Sequence, residues 1–479
     1  MTRRSVAQNT AFMTFASIGQ KIVAFVYFTL IANTLGAEGT GMYTLALSFS
    51  TIFVVFVDLG FTNVFVREAA KRGQKLQDYL QTLLATKIGL GVLSYGAMVA
   101  AMMLLGYEPA LQSLIFLSGI TMLFDSLHLT LYGALRAIGD LRYEAGSVVL
   151  SQLGSLILGG AFLALGFPII YLILAYTIPS FFNVLFVSWI LMRKHRLSLM
   201  PKFDRKTFGY LGRIAIPFAL AAVFSRFYSY LDSIILKQFL GNESVGLYSV
   251  PYKITYAFQF VPLAVVAAFY PRFSEFYESN KDRLSKLFEQ SIKYLWLVSF
   301  PIAAGIGVLA HDILLTLYKP TYLPAVPVLQ VLLAGLIFSY VSFPIGALLN
   351  ACGKQVSQTV IVFITLVINA TLNITLIPMV GVVGAAIAAL AGNIILALFG
   401  YVVAASIMKI RHVHLLLFLF KLILATSLMM LAVYVVNLSQ HFIIAIAAGA
   451  VIYPTLILVL RAITLQDIKM ASKLARGRT

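Results

Sequence analysis

Nine side chains able to hold charge, move a proton or stack on a ligand interrupt sequence that is otherwise apolar: Lys21, Asp58, Asp125, His128, Arg226, Tyr228, Tyr230, Asp232 and Lys253. Taking a charge out of water is costly unless something compensates it, so each ionisable member demands a partner. Lys21 and Arg226 stand 205 positions apart, an interval that recurs along the chain. Two cations facing a shared aqueous cavity would suit an anion, and phosphate or pyrophosphate is the natural match for ammonium and guanidinium donors. The competing reading is an ion pair of either cation with Asp58, Asp125 or Asp232. Lys253 poses the same choice between Asp232 and a phosphate. Tyr228 and Tyr230, within FSRFYSYLDS (224–233), offer aromatic faces for sugar rings, or plain packing. Asp125 and His128 are three apart, so a helix places them on one face. Together they could carry a coupling proton or satisfy each other. Asp58 lies near the basic run that begins at Arg67, where a structural ion pair is the simpler reading. Asp232 is the second candidate for ion coupling.

The elements that must hold these residues are membrane helices. The chain is 61% hydrophobic and 11% charged over 479 residues, against about 25% charged in soluble domains, and its mean hydropathy is +0.94. Fourteen apolar segments follow one another, at about 10–33, 40–62, 82–105, 110–133, 146–165, 168–192, 210–238, 246–270, 287–310, 322–349, 356–377, 382–408, 414–436 and 441–461. Each can cross roughly 30 Å of hydrocarbon as a helix, the one local structure that satisfies its own backbone there. The fold class expected is therefore an all-α polytopic membrane protein. The net charge of +18 does not read as nucleic-acid binding. Lys and Arg collect in every second loop, and the loops near 34–39, 106–109, 166–167, 378–381 and 437–440 have none. By the positive-inside rule both termini are cytoplasmic, in the plasma (inner) membrane, with the basic loops meeting anionic lipid.

The interval of 205 comes from a repeated phrase. LGAEGTGMYT (35–44) and LGNESVGLYS (240–249) fall in lysine-free loops separated by an even number of helices, as a parallel duplication requires. At the same offset Lys21 meets Arg226 and Arg67 meets Arg272, while GALRAIGD (133–140) resembles GALLNACGK (346–354). This predicts two pseudo-symmetric six-helix lobes, 1–192 and 210–408, joined by a basic linker at 193–209, with two further helices and a basic tail over 409–479. Gly36, Gly41, Gly241 and Gly246 are expected to take positive φ in turns. Tyr43 and Tyr248 are expected at the headgroup level. Lys21, eleven residues into the first segment, lies roughly 16 Å deep.

Nothing supports covalent chemistry. Cys352 is the sole cysteine, so no disulfide or thiolate metal cluster forms within the chain. There is no GxxxxGK[ST] or HExxH, and each loop expected outside is only a few residues long. The expectation is a transporter, not an enzyme, with no cofactor or metal.

The stretches LGAEGTGMYTLALSF, YLDSIILKQFLGNESVGLYSVPYKI, GALLNACGK and NATLNITLIPMVGVVGAAIAAL (369–390) resemble the polysaccharide flippases (Wzx-type transporters) of the MOP exporter superfamily over essentially the full length. The resemblance implies movement of a polyprenyl-pyrophosphate-linked oligosaccharide to the outer leaflet by alternating access, coupled to an H+ or Na+ gradient, with glycan-assembly enzymes as possible partners. It makes Lys21, Arg226 and Lys253 the expected pyrophosphate contacts and Asp58, Asp125 and Asp232 the expected ion contacts, and it assigns helices 13 and 14 to the lipid tail. A multidrug or cation antiporter or a lipid II flippase of the same superfamily is the alternative, and a membrane glycan polymerase or ligase a more distant one.

Overall fold

A computed structural model describes residues 6–71, 75–439 and 441–462. Arg72 and the tail residues Lys469, Lys473, Arg476 and Arg478 lie outside them. Among the described residues there are sixteen α-helices and no strand. In chain order they are α1 Val6–Asp58, α2 Phe61–Lys71, α3 Leu76–Leu104, α4 Pro109–Ile138, α5 Arg142–Ala164, α6 Ile170–Arg193, α7 Arg205–Leu240 and α8 Asn242–Ala257. Then come α9 Phe260–Ser279, α10 Lys281–Val308, α11 Ala310–Leu317, α12 Val326–Ala351, α13 Gln355–Val380, α14 Val382–Ile407, α15 His412–Ser439 and α16 Phe442–Val459. Thirteen helical stretches among the described residues are long and apolar enough to cross a membrane. The first, Ile18–Asp58, is 41 residues long and breaks at Gly36 (φ 69°, ψ −172°) into two crossings, so the fourteen expected segments are all present.

The chain packs as two compact units: residues Met1–Ala257 with Val362–Ala385, and residues Phe258–Ile361 with Ala386–Thr479. The first unit takes in α7 and α8, which the duplication assigns to the second repeat. One core of this unit gathers Phe65, Leu80, Leu83, Ala134, Leu135, Val187 and Leu191 from α2, α3, α4 and α6. In the second unit, Phe288, Ile292, Leu348 and Ala404 tie α10, α12 and α14 together. Leu422, Ala425 and Met429 of α15 meet Ala445 and Tyr453 of α16 in a separate cluster. Outward faces stay apolar, with Val92, Leu93, Leu150 and Ile157 exposed, as a lipid-facing surface requires.

Two elements depart from the sequence reading. The segment expected as one helix over 246–270 is α8 and α9, parted at Phe258–Gln259. Pro262 has no amide to offer and its ring disfavours a continuous helix through residue 258. The Phe258 carbonyl accepts the Val261 amide at 3.2 Å in a tighter turn and also the Tyr340 hydroxyl at 2.7 Å, the kind of added partner a broken helix needs in lipid. The second departure concerns glycine. Gly36 and Gly241 (φ 85°, ψ −175°) share one conformation at equivalent positions, a region that is essentially open to glycine alone. Gly41 and Gly246 do not have positive φ; they are helical, and their role is proximity. A Cβ on Gly41 would collide with the Asn242 carbonyl, and one on Gly246 would collide with the Ala37 carbonyl. The two copies of the repeated phrase are therefore packed backbone to backbone. Gly139 (φ 86°) and Gly353 (φ 70°) likewise close α4 and α12 in the same left-handed way, matching the second repeated motif.

Candidate functional site

Past the seam of the two phrases, the limbs of α1 and the paired helices α7 and α8 enclose a cavity of about 350 Å³, wholly within the first unit. The hairpins on either side are stitched alike. Tyr27 and Tyr43 hydrogen-bond across the first, and the Tyr248 hydroxyl donates to Asp232 at 2.5 Å across the second. Tyr27 and Asp232 stand 205 positions apart, as do Tyr43 and Tyr248, so the duplication has kept the stitch and changed one partner. Gly159 of α5 leaves the space that the Tyr27 ring fills. Tyr43 and Tyr248 are 5% and 3% exposed, which corrects their expected place at the headgroups. Tyr248 is nearly two turns into α8, and both rings line the cavity.

Of the residues singled out in the sequence, Asp125, Tyr230 and Lys253 line the cavity directly. Lys21 stands between the lining residues Gln20 and Ala24, with its ammonium 4.8 Å from the centroid of the Tyr256 ring. Its Nζ is buried and finds no hydrogen-bond acceptor among the described residues. Lys253 rests 5.4 Å from the Phe28 ring centroid, and neither lysine has an acidic partner among the described residues. Arg226 is exposed and hydrogen-bonds Tyr230. None of the three cations forms an ion pair with Asp58, Asp125 or Asp232.

Asp125 accepts from the Ser180 hydroxyl of α6 and lies 3.6 Å from His128 Nδ1, so the proximity expected from their spacing is met. The second oxygen of Asp232 is buried without a partner, and Tyr228 sits beside it, away from the cavity lining. Asp58 is bonded by Thr62 and by Lys87 Nζ at 2.5 Å. The ion pair expected with the Arg67–Lys71 run is therefore made with α3 instead. Lys87 also donates to the Thr62 hydroxyl at 2.9 Å and is fully buried. Sequence reasoning missed it, although a lysine five residues into the apolar segment at 82 was the available signal. A buried polar stripe on α13, Thr365, Asn369 and Asn373, also carried no expectation, and Asn373 donates to the Asn369 side chain at 3.1 Å.

The seam end of the cavity has an ionic clasp. Glu108, between α3 and α4, accepts from Lys237 at 2.9 Å and from Asn242 at 2.7 Å. Burial alone would raise its carboxyl; the Asn242 amide and the Lys237 ammonium outweigh it and hold Glu108 below the usual carboxylate range. A depressed folded-state value means the clasp stabilises above the unfolded value, near 4.3, and is lost as pH falls through the folded one. Because Glu108 is more than a third exposed, the contribution is at most about 1 kcal/mol. Glu108→Gln is expected to flatten the acid limb of the stability profile by that amount, as measured by thermal unfolding against pH.

The profile of the family described as “Polysaccharide biosynthesis protein” matches residues 6–277, and that described as “MatE” matches residues 217–375. The chain is 24% identical over 371 residues to the probable low-salt glycan biosynthesis flippase of Haloferax volcanii, covering 76% of each. It is 22% identical over 410 residues to a putative O-antigen transporter of Shigella flexneri, covering 80% of this chain and 94% of the relative. Among solved structures, a lipid II flippase in an inward closed conformation superposes with a TM-score of 0.77 at 17% identity, over 93% of this chain and 97% of that one. That likeness is one of fold.

Proposed function

We propose that this chain, which belongs to the polysaccharide biosynthesis protein family, moves a polyprenyl-(pyro)phosphate-linked oligosaccharide from the cytoplasmic to the outer leaflet by alternating access. The observation that supports this reading is the pair Lys21 and Lys253 at one tyrosine-rich cavity, neither ion-paired with a carboxylate among the described residues. Ammonium groups at a cavity without counter-ions favour an anion, and a diphosphate supplies the charge and the acceptor oxygens. The same excess of positive charge opposes an antiporter for cationic drugs. Arg226, beside Tyr230, is placed in this reading at the mouth of the site.

The positive-inside pattern puts the Gly36 and Gly241 turns outside and both termini in the cytoplasm, within the plasma membrane, and the two repeat halves supply the alternating motion. Coupling to H+ or Na+ is assigned to Asp125 with His128, since Asp125 is the carboxylate that lines the cavity. Asp232 is the second coupling candidate, and Asp58 is committed to Lys87. The expected role is transport without catalysis, in concert with glycan-assembly enzymes.

Reconstituted protein should transfer a fluorescent polyprenyl diphosphate oligosaccharide between leaflets. Lys21→Gln and Lys253→Gln should each raise KM by the equivalent of about 1.5–3 kcal/mol, the worth of a charged hydrogen bond. Wild-type rates in the doubly substituted protein would sink the proposal.

A further inference from the structure

Resting on that reading, we infer that the face of α8 carrying Tyr248, Tyr252 and Tyr256 is the track on which the glycan lies, with the phosphate-linked sugar at Tyr256 and the rest of the chain extending toward Tyr248. The three rings are spaced one helical turn apart and stacked in register. Centroids of Tyr248 and Tyr252 are 6.1 Å apart at an interplanar angle of 26°, and those of Tyr252 and Tyr256 are 6.0 Å apart at 18°. All three line the cavity. Eight residues of helix separate the first ring from the last, about 12 Å along the axis. A stack serving only core packing would be covered by apolar neighbours. Here Tyr252 is half-buried and Tyr256 is 40% exposed.

One end of the ladder carries a charge of its own. Lys21 stands over Tyr256, while Lys253, one residue after Tyr252, lines the same cavity beside the middle of the ladder. At the other end Tyr248 is fixed by Asp232. A ligand with an anionic head and a sugar chain therefore has one favoured direction.

The rest of the lining has complementary chemistry. Thr44, Ser48 and Thr51 present hydroxyls from the second limb of α1. Ser48 donates to the Thr44 carbonyl at 2.8 Å and Thr51 donates to the Leu47 carbonyl at 2.7 Å, which leaves their oxygens as acceptors. The Thr44 hydroxyl is buried without a partner. Pyranose rings have C–H faces that suit the electron-rich face of an aromatic ring and hydroxyl edges that need acceptors. A cavity lined by both rings and hydroxyls meets both needs.

The test compares two fluorescent polyprenyl diphosphates in proteoliposomes, one bearing a single N-acetylglucosamine and one a linear oligosaccharide begun on that sugar. Tyr252→Leu should raise KM about tenfold for the longer glycan only, the factor that ~1.4 kcal/mol of lost ring contact is worth, while Tyr252→Phe should match wild type. Tyr256→Leu should raise KM for both. Thr44→Ala with Ser48→Ala should reproduce the length-selective loss without touching the rings, which keeps the test decisive if Tyr252→Leu fails to fold. Equal effects of Tyr252→Leu on both lipids, or none on the longer one, would overturn the track while leaving the transport function intact. A wild-type protein that moves neither lipid would overturn the transport reading and the track with it.

Discussion

Replacing Gly41 or Gly246 with alanine is expected to force the two phrase copies apart and to open the cavity toward that end. At either position the added methyl meets a main-chain carbonyl, of Asn242 or of Ala37. Gly246 N would also lie 3.0 Å from the new atom on Gly41. A side chain could rotate away; a helix backbone yields only by moving as a whole. Overpacking of this kind costs about 1–3 kcal/mol. The change should appear twice, as a lower melting temperature and as faster labelling of a cysteine placed at Thr44 by an impermeant maleimide, in a Cys352→Ala background. Gly89→Ala, on α3, is the control, since a Cβ there meets nothing within 4 Å. Unchanged melting and labelling in Gly41→Ala would show that the seam is not held by close approach.

The second large effect is expected from the Asp58–Lys87 pair. Lys87 has no exposed side-chain surface, whereas the Asp58 side chain is 25% exposed. Asp58→Leu therefore strands the more deeply buried charge and should cost about 3–5 kcal/mol. Lys87→Met leaves a carboxylate that still reaches solvent and keeps its bond from Thr62, so it should cost less. Combining the two substitutions removes both charges and should recover most of the loss, because an apolar pair can replace a buried ion pair at little net cost. Thermal unfolding of the three variants in detergent checks the order. Additive losses in the double variant would mean the two residues act independently.

Much of this was legible in the chain, and the failures have physical causes. Helix number, the family resemblance and the doubled phrase follow from apolar length and register, which are local properties. Lys21 and Lys253 stood out because lipid leaves a charge few places to go. Lys87 did not, since it lies close to a segment end, where a lysine can ordinarily reach water. Its burial depends on Asp58, which is distant in sequence. Tyr248 reads as a headgroup anchor when the helix is taken to begin at 246; it begins at Asn242, which carries the ring further inside. The break at Phe258 was signalled by Pro262, but the Tyr340 hydroxyl that makes the break tolerable comes from another helix. Gly41 and Gly246 were misread for the same reason, as their requirement comes from a neighbour and not from their own dihedrals.

The seam between those glycines has the geometry of an isologous interface. Gly41 meets Asn242, and Gly246 meets Ala37; at the offset of 205, these are the same contact made twice with the roles exchanged. In a symmetric dimer such reciprocity is imposed by the two-fold axis, and here it persists inside one polypeptide. Ala37 and Asn242 take part through their carbonyls, so their side chains have been free to diverge while the missing Cβ on each partner glycine has not. The two glycines therefore form one genetic unit. Once either is substituted and the backbones have parted, the second substitution should add little.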